Sequence, residues 1–135
     1  MPVMQQNPVG ECALRLQVPA TVEHLRTVRL VAADAAERAG FDCDQTDDIR
    51  IAVDELCHAV MESTNAPIVL GFTVEPGVVE VRGTAPRVGV SHPVQMSPLS
   101  ELVVDSVSES FELVDGPSEV GFVLVKRAAI AEGPG

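Results

Sequence analysis

Asp47-Asp48-Ile49-Arg50-Ile51-Ala52-Val53-Asp54-Glu55-Leu56-Cys57-His58-Ala59-Val60 is the stretch on which the fold turns. Ile49, Ala52, Val53, Leu56, Ala59 and Val60 recur at three- and four-residue spacings, the period of a helix that buries one face. Asp47, Asp48, Arg50, Asp54, Glu55 and His58 fall between them and stay off that face. The helix is expected to begin after Phe41, with Asp44 or Thr46 as cap, and to end near Ser63. Asp47 and Asp48 complement the positive end of its macrodipole. One apolar stripe demands a second layer to cover it.

Upstream, Leu25, Val28, Val31/Ala32, Ala35 and Ala39 make a similar stripe, so Thr21 to Ala39 reads as a first helix capped by Thr21 and stopped by Gly40. Before it, Ala13 to Pro19 alternates Leu14, Leu16 and Val18 with Arg15 and Gln17, the period of a half-buried strand. Downstream, Ile68–Val74 and Val78–Arg82 read as a hairpin around Glu75-Pro76-Gly77. Gly83 to Met96 is the longest irregular connection. Ser97-Pro98 starts a third helix carried by Leu99, Leu102, Val103, Val107 and Ser110/Phe111. Glu112–Asp115 and Val120–Lys126 are the last strands, turned by Gly116-Pro117. The order β-α-α-β-β-α-β-β predicts an α+β fold. It is a two-layer α/β sandwich, a mostly antiparallel mixed sheet with about three helices on one face. Residues 13–128 form the single domain, with tails at 1–12 and 129–135.

Composition agrees with one compact domain. The chain has 135 residues and a mass of 14.3 kDa, with 46% hydrophobic residues and a mean hydropathy of +0.22. Twenty acidic against nine basic residues give a net charge of −11. That balance argues against a phosphate-backbone binder, and four Phe with no Tyr or Trp leave few rings for base stacking. No apolar run approaches the roughly twenty residues of a membrane helix, and Met1 to Glu11 lacks the pattern of a secretory signal. Cys12, Cys43 and Cys57 are scattered, with no Cys-x-x-Cys pair, which fits free thiols in a reducing cytoplasm. The preference for Arg over the single Lys126, with abundant Ala, Val and Gly, suggests a GC-rich bacterial coding sequence.

The densest set of ionisable groups is on the second helix: Asp47, Asp48, Arg50, Asp54, Glu55, His58 and Glu62. Asp54 and His58 stand four apart on one face, an acid–His pair at helical spacing. The plain reading is a solvated face; the sharper one is a carboxylate placed to activate a hydroxyl or water. No metal site is expected, since Cys57 and His58 diverge by roughly 100° on a helix and lack a second ligand cluster. His92 is expected to stay solvated in its loop.

Val28-Arg29-Leu30-Val31, Ala39-Gly40-Phe41 and Asp48-Ile49-Arg50-Ile51-Ala52-Val53-Asp54-Glu55-Leu56-Cys57 resemble the anti-sigma-factor serine kinases of the GHKL ATPase superfamily, the RsbW and SpoIIAB group. Ser110-Phe111-Glu112-Leu113-Val114-Asp115-Gly116 and Phe122-Val123-Leu124-Val125-Lys126-Arg127 resemble that family's last hairpin. The resemblance covers residues 13–128 and implies the GHKL (Bergerat-like) fold. It also implies an ATP site in which Glu55 is the catalytic base. The Mg²⁺-holding Asn that should follow four residues later is replaced by Ala59. The family's Asp-x-Gly-x-Gly adenine turn is replaced by Arg82-Gly83-Thr84-Ala85-Pro86, and no glycine-rich lid precedes Ser97-Pro98. Asp54, Glu55, His58 and Gly83 are therefore expected to be the remnant of a nucleotide site, with no cofactor bound; Mg-ATP would enter only in an active kinase. The resemblance further implies a sigma factor and an anti-anti-sigma antagonist as protein partners and a homodimer, while the acidic charge and short apolar runs argue against nucleic acid and membrane.

Overall fold

The computed structural model describes residues 12–88 and 92–128. Among the described residues, five strands and three α-helices follow one another along the chain: β1 (Cys12–Val18), α1 (Leu25–Arg38), α2 (Cys43–Met61), β2 (Ile68–Glu75), β3 (Val78–Pro86), α3 (Pro98–Val107), β4 (Ser110–Asp115) and β5 (Glu119–Arg127). The element order is the one expected, and β1 begins at Cys12 rather than Ala13. The tails at 1–11 and 129–135 lie outside the described residues.

The sheet runs β1-β2-β3-β5-β4, and every neighbouring pair is antiparallel, so the expected mixed character is not there. Two hairpins, β2–β3 and β4–β5, are zipped together by a nine-residue ladder from Val78↔Arg127 to Pro86↔Glu119. Proline ends that ladder at a position where its missing N–H costs nothing further along. β3 thus continues four residues past Arg82, and the irregular connection is shorter than expected.

Period-two alternation sorts the side chains. Leu70 and Phe72 on β2, Val79 and Val81 on β3, and Val120, Phe122 and Leu124 on β5 are all buried on one face. The buried stripes of the helices, Val28, Ala32 and Ala35 from α1 and Ile49, Val53, Leu56 and Val60 from α2, belong to the same apolar core. Alanine at so many α1 positions permits a close approach of α2, its main helical neighbour. Arg15, Gln17, Arg82 and Thr84 emerge on the opposite face.

Helix ends follow local chemistry, with three departures from expectation, one being that α3 stops at Val107 while Ser110 and Phe111 open β4. Thr21 heads a single 3-10 turn, Val22–His24, that leads into α1, and its hydroxyl meets His24 Nδ1 at 2.7 Å instead of capping. α2 is capped by Asp42, not by Asp44 or Thr46. Asp42 Oδ1 accepts from Gln45 N at 2.8 Å while Gln45 Oε1 accepts from Asp42 N at 2.9 Å, a reciprocal capping box. Gly40 ends α1 at φ +86, a conformation costly for any side chain. α3 starts as expected, Ser97 Oγ accepting from Ser100 N at 3.0 Å, with Pro98 in the first turn.

The phase of α3 is the larger correction. Val104 is its one fully buried residue, with Ser100, Val103 and Val107 half-buried beside it. Leu99 and Leu102, expected in the core, are 69% and 64% exposed. The helix carries apolar residues on two sides, so its hydrophobic pattern alone does not choose which side meets α2.

Candidate functional site

Glu55, His58 and Glu62 recur on α2 at intervals of three and four, so they share one strip of the helix. That strip faces the segment 92–97 and the start of α3, which arrive as a wall across a cleft. A hollow of about 210 Å³ is bounded by Glu55, His58, Ala59 and Glu62 on one side and by Gln95, Met96, Ser97 and Ser100 on the other. A second, of about 440 Å³, continues from it past Ala59, Glu62 and Gln95 to Ser63, His92 and Pro93. No Lys or Arg lines either hollow, and Glu55 and Glu62 make the cleft negative.

The wall is tied down by polar contacts that the sequence did not advertise. Ser63 Oγ donates to the Pro93 carbonyl at 3.3 Å, and Val94 is buried. Arg87, its side chain 15% exposed, donates through Nη1 to the His92 carbonyl at 2.6 Å and through Nε to the Gly116 carbonyl at 3.0 Å; its Nη2 also pairs with Asp115. Thr64 Oγ1 donates to the Pro86 carbonyl at 2.5 Å. One guanidinium therefore joins the end of β3, the cleft wall and the β4–β5 turn. An arginine straight after the strand-ending Pro86 is the available signal, and it is a weak one.

Glu55 is engaged: its Oε1 accepts from Ser100 Oγ at 2.7 Å, across from α2 to the first turn of α3. At that turn Pro98 has no N–H, Ser100 N is spent on Ser97 Oγ, and Glu101 N reaches the Ser97 carbonyl at 2.9 Å. Few helix-terminal amides are left to face the cleft.

The four residues expected to share a nucleotide site are not gathered together. Asp54 faces α1, where its Oδ1 accepts from Arg29 Nη1 at 2.5 Å, and it borders a separate hollow of about 320 Å³ with Asp47, Arg50 and Ile51. The proposed i,i+4 pair of Asp54 with His58 does not form: a cation one helix away takes Asp54, and His58 Nδ1 lies 3.9 Å from Glu62 instead. Gly83 is inside β3, opposite Phe122; a Cβ there would sit 2.6 Å from the ring, so this glycine is a packing device. Glu55 alone borders both the 210 Å³ cleft and the Arg29 hollow. The acidic cluster is also less bare than expected: Lys126 Nζ donates to Asp48 Oδ2 at 3.2 Å, and Arg50 pairs with Asp47 at 3.3 Å.

The thiols offer no nucleophile at this site. Cys57 is buried among apolar residues, and desolvation, with the charge of Asp54 behind it, pushes its thiol well up from the usual range. Cys43 is exposed and free. His92 is exposed, as expected, and contributes its backbone carbonyl to the Arg87 clamp. Among the described residues no group of three or more His, Cys, Asp or Glu side chains is arranged to hold a metal ion, and no helix is long and apolar enough to cross a membrane.

Residues 18–128 match the family model of the histidine kinase-like ATPase domain. The chain is similar to the serine-protein kinase RsbW of Bacillus subtilis (strain 168), 33% identical over 73 residues, which are 50% of this chain and 46% of the relative. It is also similar to the serine-protein kinase RsbW of Bacillus mycoides (strain KBAB4), 30% identical over 69 residues, 51% of this chain and 43% of the relative. The matched region thus spans about half the length of these curated relatives. Among solved structures, the RsbU and RsbW domains of Rv1364c from Mycobacterium tuberculosis superpose with a TM-score of 0.66 at 17% identity, covering 84% of this chain and 31% of that one. At that identity the likeness is one of fold.

Proposed function

This chain belongs to the histidine kinase-like ATPase domain family, and on that premise we propose that it is an anti-sigma-factor-like regulatory protein. It acts by binding partner proteins and exchanging them, a sigma factor on one side and an anti-anti-sigma antagonist on the other, without binding ATP or transferring phosphate. The partner classes follow from the resemblance to the RsbW and SpoIIAB group. The loss of nucleotide follows from the cleft.

The observation that carries this reading is the chemistry of the α2–α3 cleft. A triphosphate needs cations, glycine-flanked amides or a metal to balance its charge. Here two carboxylates and no Lys or Arg line the walls, and the amides at the start of α3 are largely spent within the turn. Mg²⁺ takes hard oxygen ligands in near-octahedral geometry, and Ala59 offers none at the position where the family's Asn is expected. The residues therefore do not fit Mg-ATP, and no catalytic step is derived through it. Glu55 has a hydroxyl partner already, in Ser100.

An active serine/threonine kinase with a divergent site is the second reading. It is favoured by one feature, the carboxylate of Glu55 at the border of two hollows, where a base would meet a protein hydroxyl. Thermal unfolding with and without millimolar Mg-ATP separates the two. A binder saturated at about one hundred times its Kd gains about 2.7 kcal/mol, several degrees for a domain this size, whereas the binding-protein reading expects no shift. A clear rise in melting temperature promotes the kinase. Titration calorimetry against purified sigma factors of the source organism then tests the partner; if none binds, the anti-sigma reading is lost and the fold alone remains.

A further inference from the structure

We propose that the groove between α3 and the free edge of β4 docks an extended cationic segment of a partner protein, which joins the sheet as a sixth strand. The site lies apart from the α2–α3 cleft and does not depend on the reading given above.

β4 is the outermost strand of the sheet, paired only with β5, so its other edge presents backbone N–H and C=O groups with no strand partner among the described residues. Exposed edges of this kind are templates for strand addition. Beside the edge runs a groove of about 700 Å³ between α3 and β4. Phe111 and Leu113 form its floor and are only half-buried. Leu102, on the helix side, is 64% exposed, and Leu99 one turn before it is 69% exposed. Leu102, Phe111 and Leu113 line one groove, so they are more than scattered surface residues.

Charge names the occupant. Glu101 and Asp105 on the α3 lip and Glu112 on β4 line the groove with no Lys or Arg among its lining residues, and none of the three forms an ion pair among the described residues. An added strand puts alternate side chains on opposite faces. Apolar residues of the partner would lie on the Phe111 and Leu113 side beneath Leu102, and basic ones would meet Glu112 on the other face, while Glu101 and Asp105 on the helix side add their negative field to the approach. A partner strand of alternating Val and Lys type suits both faces of the edge, and its net positive charge suits the lip. Charge-complementary contacts of this sort fix register and orientation as well as encounter.

Fluorescence anisotropy of the full chain with a labelled acetyl-Lys-Val-Lys-Val-Lys-Val-amide peptide, matched in length to β4, measures the binding directly. Amide chemical shifts then locate it. The expected result is saturable binding, shifts concentrated in 98–105 and 110–115, and about tenfold or greater weakening in the doubly charge-reversed variant Glu101→Lys, Glu112→Lys. Both side chains are exposed, and circular dichroism checks that the variant keeps its fold. An equally tight Glu-Val peptide, an unaffected variant, or shifts on the α1–α2 face overturns the proposal. So does preferential binding of a helical basic peptide of the same composition. Absence of binding up to millimolar peptide also overturns it and leaves the carboxylates as guards against edge-to-edge pairing.

Discussion

Gly83 illustrates how residue-scale meaning changes once packing is known. In sequence it stands where a nucleotide-binding glycine is expected; in the fold its missing side chain leaves room for the Phe122 ring. Gly83→Ala is expected to cost about 1–3 kcal/mol, because the ring is fully buried and the strand on either side cannot yield. A urea midpoint lowered with an unchanged m-value measures it. A neutral result would return Gly83 to the list of functional candidates. Asp54 teaches a related lesson. Its helical neighbour His58 was visible in the sequence, but its actual partner, Arg29, is 25 positions away, and no local spacing announces a contact between helices. Glu55 was legible as the distinctive carboxylate of the second helix, whereas its acceptance of the Ser100 hydroxyl depends on how α3 is docked.

Elements were easier to read than their ends and faces. Each helix and strand follows from periodicity and from Gly, Pro and Ser punctuation, since burying one face is a repeated demand that leaves a repeated signal. The cap of α2 was also within reach: Asp42 and Gln45 have the spacing of a capping box, which outranks Asp44 or Thr46 because it satisfies two amides at once. The face of α3 was not, because two apolar sides compete and only contact with α2 decides. The segment 92–97 looked irregular, and it has no regular structure, yet it is held by Ser63, Val94 and Arg87. Arg87→Ala removes two hydrogen bonds and a half-buried ion pair in one step. It is expected to destabilise the protein by about 1–3 kcal/mol and, more specifically, to accelerate amide hydrogen exchange in 92–97 ahead of the helices. Exchange that rises uniformly across the sheet would mean the clamp holds the whole domain rather than this wall.

At the scale of the whole molecule, the surplus of eleven negative charges is the dominant electrostatic fact. Among the described residues, seven Arg or Lys pairs with carboxylates relieve it locally, most of them exposed and of small energetic value. Self-repulsion therefore outweighs attraction. The melting temperature is expected to rise by a few degrees as salt increases from about 10 mM to about 150 mM, where the screening length contracts from about 30 Å to about 8 Å. A falling melting temperature in a salt titration would show that the pairs outweigh the surplus. The sheet order has a further consequence, for synthesis. β5 is the last strand among the described residues, yet it lies between β3 and β4 and supplies Val120, Phe122 and Leu124 to the core. A nascent polypeptide that has emerged only as far as residue 115 holds α1, α2 and the β2–β3 hairpin but has a gap down the middle of its sheet. Native closure has to wait until residues 119–127 clear the ribosomal exit tunnel, and a chain stalled before that point exposes the inner edge of β3 to whatever waits at the tunnel mouth.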